Sequence, residues 1–373
     1  MRKICLAWPV FILVLLLLTS CKVGRFVWYN YSNITDHKIF PSRPLDKSSA
    51  PFYFTETQRN EELDNRIQIM NYEKKAFSLH EFLDQSPTVA FLVIRNDSLL
   101  YERYFDKYVR ESQVASFSVA KSFVSALIGI AIAEGKIRSE DDRVVEYVPE
   151  LSKMEGWDKV TIHHLLQMSS GVHFTESYYT PFSGAATFYY GRNLRKNLER
   201  MKLDRDPMQK FEYKSSNTQL LGLILERATG KSNTEYLNEK IWQPLGMEFD
   251  ASWSIDRKKN GLEKSFCCIN ARARDFAKFG RLYLKKGKWD ERQIVPEEWV
   301  VKSTGINHEK GAAWFYNRQW WIGPEKFGDY SAIGHLGQYI YVMPEKNIII
   351  VRLGKSRAKE DWIDVLRQVA IQL

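Results

Sequence analysis

A serine and a lysine three residues apart, Ser118 and Lys121, lie in the stretch Ser116-Phe117-Ser118-Val119-Ala120-Lys121-Ser122-Phe123. A serine hydroxyl becomes a nucleophile when a base beside it takes the proton, and an amine three residues along a helix is within reach. A Ser-x-x-Lys pair arises by chance about once or twice in a chain of this length, so its setting decides its meaning. That setting is a run from Ser122 to Ala133, apolar on nearly every side, which is the pattern of a buried helix. Glu134-Gly135-Lys136 ends it, with Gly135 able to take the left-handed cap conformation. Ser118 is therefore expected in the first turn, where unpaired N–H groups and the positive helix end favour an alkoxide.

Tyr213-Lys214-Ser215-Ser216-Asn217 is a second candidate, placed just before the apolar helix Leu220–Leu225. A phenol beside a serine hydroxyl relays protons when a nearby ammonium lowers its pKa. Ser215, Ser216 and Asn217 are also good helix starters, so a plain capping loop reads the same way. Gly334-His335-Leu336-Gly337-Gln338 is the third, expected to open the strand Tyr339–Met343. A glycine at a strand edge lets a substrate approach the backbone. The next N–H then pairs with that of Ser118 to hold an oxyanion. An ordinary glycine-rich turn into a hairpin is the other reading.

The elements that must position these groups follow from periodicity and turn residues. Val89–Ile94 is a buried strand, Asn96-Asp97 a turn and Leu99–Phe105 the partner strand. A mainly helical region covers about 140–265. In it one helix starts at Thr161 and ends near Ser170-Gly171, and another runs Ser216–Thr229 with Gly230 as its cap. An amphipathic helix follows over Ala271–Lys285, then strand-like runs at Tyr316–Ile322, Tyr339–Met343 and Ile348–Leu353, and a final helix near Lys359–Leu373. This order predicts an α+β fold of α/β/α sandwich type. An antiparallel sheet is built from N- and C-terminal strands, flanked by helices, with a large helical insertion.

At 373 residues, 44% hydrophobic and 14% aromatic, the chain can bury a large core. Its formal charge of +9 is spread out, with no Lys/Arg block long enough to follow a phosphate backbone, so nucleic acid is not an expected partner. Arg2 and Lys3, the apolar run Ile4–Leu18 and the ending Leu18-Thr19-Ser20-Cys21 form a secretory signal. The alternative is an uncleaved anchor, for which the run is short and interrupted by Pro9. Either way the body lies outside the cytoplasmic membrane. The segment that follows reads as an arm packed on the body, ending in a short helix that Ser78 and Glu81 cap, although residues 22–50 also suit a flexible tether.

Beyond Cys5 and Cys21 the chain holds only Cys267 and Cys268. Adjacent cysteines rarely pair because the ring they close is strained, so these two are expected as buried, unpaired small side chains. Two thiols make no zinc set. Gly230-Lys231-Ser232 lacks the first glycine of a phosphate loop, Leu225 standing in its place. His163 and His164, adjacent on a helix, point apart and do not readily share a metal.

The three motifs, in this order, resemble those of the serine β-lactamase and penicillin-binding-protein-like superfamily, over roughly residues 88–373. The runs Thr161–Gly171, Ala273–Ala277 and Glu297–Val300 are also similar to that superfamily. Tyr213–Thr218 resembles the Tyr-x-Ser-x-Asn-Thr of 6-aminohexanoate-dimer hydrolases, in the branch with class C β-lactamases and carboxylesterases. Leu-Thr-Ser-Cys resembles the bacterial lipoprotein lipobox. It implies a signal peptide over 1–20, lipidation of Cys21, a tether and packed arm over 21–87, and a hydrolase domain over 88–373. The protein would then sit in the bacterial cell envelope, held to a membrane by its N-terminal lipid on the periplasmic or surface face.

The resemblance implies a serine hydrolase acting through an acyl-enzyme on a small ester, amide or peptide, with no cofactor and no metal. Ser118 is then the nucleophile. Lys121 and Tyr213 take its proton, with the proximal base left open, and Ser215 positions Lys121 and substrate. The N–H groups of Ser118 and Gln338 hold the oxyanion, with His335 and Gly337 lining the substrate side. One departure bears on substrate. His335-Leu336-Gly337 stands where most β-lactamases carry Lys-Thr-Gly or Lys-Ser-Gly, which removes an ammonium and a hydroxyl that hold a β-lactam carboxylate. No counterpart of the class A deacylating glutamate is legible. A D,D-peptidase or weak β-lactamase, and a non-catalytic penicillin-binding-like receptor, are the alternatives.

Overall fold

Val89–Ile94 presents six apolar residues in a row, and such a strand is stable only with both faces covered. In the computed structural model, which describes residues 22–29, 31–57 and 59–373, it lies inside an eight-stranded sheet. The strands are β1 (Thr55–Glu56), β2 (Thr88–Arg95), β3 (Ser98–Tyr104), β4 (Tyr316–Asn317), β5 (Trp320–Ile322), β6 (Tyr330–Gly334), β7 (Gln338–Met343) and β8 (Ile348–Gly354). Their spatial order is β4-β5-β6-β7-β8-β2-β3-β1. Neighbours are antiparallel except β1, which runs parallel to β3. C-terminal β8 pairs with N-terminal β2, Ile350 opposite Val93, so the two ends of the chain close one sheet.

Six helices position the site: α1 (Lys22–Tyr29), α2 (Ala120–Ala133), α3 (Gly184–Tyr190), α4 (Ser215–Thr229), α5 (Ala273–Leu284) and α6 (Trp362–Ile371). Alternation along β2 divides the core. Phe91 and Val93 join Trp362, Leu366 and Val369 of α6, while Leu92 and Ile94 join residues of α2 and α5 on the other face. Helix α5 lies so close to the sheet that a Cβ on Gly280 would sit 2.7 Å from Ile349 Cγ2. Helix α2 is buried from Ala120 to Ala131, and its Phe123 ring stacks on Phe279 of α5 at 3.6 Å. Burying each large side chain there contributes roughly 1.5–3 kcal/mol, and Phe123→Ala would cost about 3–5 kcal/mol. The α+β sandwich expected from element order is the fold observed.

Residues 34–87 are woven into this body. Ser42–Leu45 pairs antiparallel with Ala251–Ser254 in a four-stranded second sheet. Leu63, Ile67, Leu79 and Phe82 complete the core beneath α6. Ser78 and Glu81 form the expected capping box. The segment read as a secretory signal, with Cys21, lies outside the described residues. Among the described residues no helix is long and apolar enough to cross a membrane.

Four expectations need correction. Tyr316–Ile322 is not one strand but the hairpin β4–β5, because Arg318 and Gln319 take left-handed backbone at φ +41° and +72°. The helix begun at Thr161 stops at Leu166 rather than near Ser170-Gly171, and Met168 turns the chain at φ +56°. His335-Leu336-Gly337 lies in the turn between β6 and β7, not on the strand, with Leu336 and Gly337 at φ +62° and +86°. Cys267 and Cys268 are joined in a disulfide. Left-handed backbone at Cys268 (φ +74°) folds the dipeptide. The Trp253 indole donating to Cys267 O and Ser254 N donating to Cys268 O hold it. Strain that disfavours a vicinal pair in a free chain is thus borne by tertiary contacts. Both side chains are buried, as expected.

Candidate active site

Phe117 turns the chain sharply between the strand Val114–Ala115 and α2, at a φ of +46° that is unusual for a bulky residue. Ser116 fixes the turn from behind. Its N–H donates to Ile269 O at 2.8 Å and its Oγ accepts from Ile269 N at 3.1 Å. Ser118 therefore sits in a short 3-10 turn, Phe117–Val119, just ahead of α2 rather than in the first turn of the helix.

Lys121 is buried, and its Nζ meets Ser118 Oγ at 2.7 Å, Phe266 O at 2.9 Å and Ser215 Oγ at 3.1 Å. Burial pushes its pKa down to about 7, against a smaller upward pull from the Glu176 carboxylate. The Ser118 hydroxyl lies beside the Tyr213 phenol and favours its ionised form, and the Tyr213 ring lies 5.0 Å from the Lys121 ammonium. Burial, and then Glu176, raise the Tyr213 phenol above its ordinary value, so it is held neutral.

Glu176 gives this cluster a direction. Its carboxylate accepts from Ser215 Oγ at 2.6 Å, from Ser215 N at 2.7 Å and from Tyr178 Oη at 2.9 Å. With its one proton committed to Glu176, Ser215 Oγ can only accept from Lys121. Phe266 O is likewise an acceptor alone. A neutral Lys121 amine has two N–H bonds, and these two partners use both. Its lone pair is left facing Ser118.

Helix α4 begins at Ser215, and the loop before it is braced by the Thr161–Gly171 run. Glu212 N donates to Met168 O at 2.8 Å, and Ser170 Oγ to Asn217 Oδ1 at 2.7 Å. Lys214 turns away from the cluster and donates to Val172 O at 2.6 Å. The family-like Ala273–Ala277 run supports the scaffold, with Arg274 pairing Glu56 and Glu102 across β1 and β3.

The third motif borders the cluster. His335 stacks on Tyr178 at 5.3 Å and meets Phe117 edge-on at 5.5 Å. Burial, and to a lesser degree Arg357, push its pKa down to about 4, so the imidazole is neutral at pH 7. Gly334 abuts the Ser116 carbonyl with no room for a Cβ. The Gln338 side chain is engaged with Gly354 O at 2.7 Å and His335 O at 3.1 Å, so its candidate role rests on the backbone N–H. Beneath the turn, buried Arg352 lies 3.6 Å over the Trp362 ring and donates to Gly337 O at 2.7 Å, Thr88 Oγ1 at 3.0 Å and Ser356 O at 3.0 Å. The Gly337 carbonyl and the Gln338 N–H belong to one planar peptide. Fixing the first orients the second.

Ser118, Lys121 and Ser215 thus meet in one hydrogen-bonded cluster with the Tyr213 ring over Lys121, and His335, Gly337 and Gln338 lie along the bordering turn. Glu176, Tyr178, Arg352 and Arg357 are not legible from the sequence, since no motif or periodicity marks them. Among the described residues no group of three His, Cys, Asp or Glu is placed to hold a metal. His163 meets Glu309 and Glu140, whereas His164 accepts from Thr161 N.

The beta-lactamase family model matches residues 79–372. The 6-aminohexanoate-dimer hydrolase of Paenarthrobacter ureafaciens is 29% identical over 300 residues, covering 74% of each chain. A candidate 6-aminohexanoate-dimer hydrolase from Bacillus anthracis, of known structure, superposes with a TM-score of 0.81 at 27% identity, covering 91% of this chain and 92% of that one. A class C beta-lactamase mutant superposes at 0.60 with 16% identity, over 79% of this chain and 95% of that one, a likeness of fold alone.

Proposed function

The chain belongs to the beta-lactamase family, and we propose that it is a serine hydrolase that opens small esters or amides through an acyl-enzyme on Ser118. The Lys121 lone pair takes the Ser118 proton as Oγ bonds to the carbonyl carbon. The N–H groups of Ser118 and Gln338 hold the oxyanion. As it collapses, the bond to the leaving group breaks, the Tyr213 phenol protonates that group, and the Lys121 ammonium returns a proton to Tyr213. Water then attacks the acyl group by the reverse transfers, and Ser118 regains its proton.

The observation that carries this reading is the placing of Lys121 between Ser118, Phe266 O and Ser215 with a pKa brought down to about 7. A neutral Tyr213 suits the acid role better than the base role. A fluorophosphonate probe should label Ser118, read by mass mapping; a label on any other serine would sink the assignment. A panel of chromogenic esters, amides, β-lactams and peptidoglycan peptides, run against wild type and Ser118→Ala, then defines the substrate.

Carboxylate-bearing substrates, cell-wall peptides or β-lactams, form a second reading. Arg357 favours it, since this guanidinium donates to Gly334 O at 3.2 Å beside the third motif. Lipid attachment at Cys21 is part of the main proposal and independent of substrate class. Cys21→Ala should leave the protein unprocessed or released from the membrane fraction, and unchanged processing and partition would remove that part of it.

A further inference from the structure

Helix α1 begins one residue after Cys21 and packs on α3, its Phe26 ring meeting Tyr190 edge-on at 5.5 Å. The same helix turns Val27 and Trp28 outward, and both are more than half exposed. Tyr31, just beyond it, is also exposed and touches the ring of Tyr179 at 6.2 Å. Tyr179 belongs to the loop 177–183, which Ser183 Oγ closes by donating to Ser177 O and Thr180 O. In that loop Tyr178 points inward to Glu176 and His335, while Tyr179 and Phe182 are each 78% exposed. Exposed aromatic rings therefore run from the first helix to the rim of the active site. A soluble surface scatters such residues singly.

Basic groups flank this band on both sides. A cavity of about 530 Å³ on one side carries Arg192, Arg257 and Lys258, with Asp256 and Arg25, both buried, also in its lining. On the other, Phe182 shares a cleft with Lys196, Arg200 and Lys202. Trp and Tyr rings flanked by Lys and Arg suit a membrane–water interface, where the rings sit at headgroup depth and the cations meet acidic lipids.

We propose that α1 and the 177–183 loop form a face that docks on an anionic phospholipid bilayer and turns the mouth of the active site toward it. This rests on the anchoring at Cys21 proposed above, which brings the bilayer to the start of α1. Lipid attachment at Cys21, which the run Ile4–Leu18 and the Leu-Thr-Ser-Cys ending imply and which falls one residue ahead of α1, is what selects a bilayer as the occupant over a second protein copy.

The test uses the processed, lipid-bearing protein on vesicles of phosphatidylcholine with a minority of phosphatidylglycerol, with and without bromine-labelled acyl chains. Phe182→Trp places a reporter indole far in sequence from the anchor, and Trp28→Phe removes the native one. Docking predicts that the emission of the reporter, taken as the difference from wild type, is blue-shifted and quenched by bromine at least about twofold. The Trp28 component should behave alike, and Val27→Asp/Trp28→Asp should relieve the quenching of the reporter while leaving turnover of a soluble short-chain ester unchanged. If the protein sediments with vesicles but the reporter stays unquenched, the anchor stands and the docking face is refuted. If it does not sediment, the anchoring reading fails, and the same reporter decides docking when vesicles are added to excess. Quenching there supports the face, and its absence overturns it. A doubled mass that buries the reporter without lipid would assign the face to a second copy and overturn the proposal.

Discussion

Glu176→Gln tests the directionality of the site most directly. The substitution keeps the shape of the side chain and removes its charge, which has two opposed consequences for Lys121. Glu176 is the group that pulls the Lys121 pKa upward, so losing it should move that pKa below its present value of about 7. At pH 7 about half of the amine is already neutral, so this gains at most about twofold in active base. The loss is larger. Ser215 now gives its proton to a carboxylate at 2.6 Å, and a hydrogen bond to a charged group contributes about 1.5–3 kcal/mol. A Gln amide can donate to Ser215 instead, which frees the Ser215 proton to turn onto the Lys121 lone pair. The base is then blocked, and the lost bond corresponds to a fall of about ten- to 150-fold.

The assay is kcat/KM for a chromogenic ester across about pH 5–9, which reports ionisation in the free enzyme. Activity requires deprotonated Lys121, so the profile rises with pH through its pKa. In Glu176→Gln the rise should move to lower pH while the plateau falls. Ser215→Ala removes the acceptor that orients the Lys121 N–H rather than blocking its lone pair, and should lower the plateau with less movement of the limb, since the Glu176 charge remains. The double variant should be little worse than the poorer single one. An unchanged plateau, or a limb displaced to higher pH, would refute the hydrogen-bond accounting.

Three further outcomes follow from the same geometry. Arg352→Lys cannot hold Gly337 O, Thr88 Oγ1 and Ser356 O at once as the guanidinium does, and should lower kcat about tenfold or more with little change in KM, as expected for a misaimed oxyanion donor; equal loss in both would point to a general packing defect. Because His335 is neutral at pH 7, small uncharged esters should be turned over about ten- to a hundredfold better than penicillins or cephalosporins, from the missing charge-assisted bond. His335→Lys should narrow that gap, and cephalosporin kcat/KM at or above that for simple esters in the unmodified protein would overturn the argument. Cys267→Ser/Cys268→Ser should loosen the Phe266 carbonyl that accepts from Lys121 and reduce kcat/KM about fivefold, near one hydrogen bond's worth of about 1 kcal/mol, without unfolding by circular dichroism. Unaltered kinetics would show that the disulfide does not reach the site.

The division between what the chain announces and what it conceals follows the range of the interactions. The buried helix behind Ser118, its end at Gly135, the strand Val89–Ile94 with its Asn96-Asp97 turn, and the helix ending at Gly230 were all legible in the sequence. Each is set by side-chain periodicity and by glycine or Asx backbone freedom within a few residues. So was the Ser118–Lys121 spacing, because three residues on a helical turn place two side chains together wherever the helix goes.

The rest depends on segments far apart in the chain. Lys121 finds Phe266 O 145 residues away, Ser215 finds Glu176 across 39, and Arg352 reaches back to Thr88 across 264. None of these partners carries a local signature, since a carboxylate in a loop or an arginine in a strand reads as surface or as solvated charge until packing removes the water. The Cys267–Cys268 disulfide escaped the sequence, and the choice between strand and turn at His335-Leu336-Gly337 stayed open there, for a related reason. Local rules assign the strain of adjacent cysteines and the start of a strand by averages, whereas here a fixed indole, a neighbouring strand and a buried guanidinium select conformations that those averages disfavour. The sequence determined which groups are available for chemistry. Tertiary structure decided their protonation and direction, because desolvation and hydrogen-bond polarity exist only once distant segments close around them.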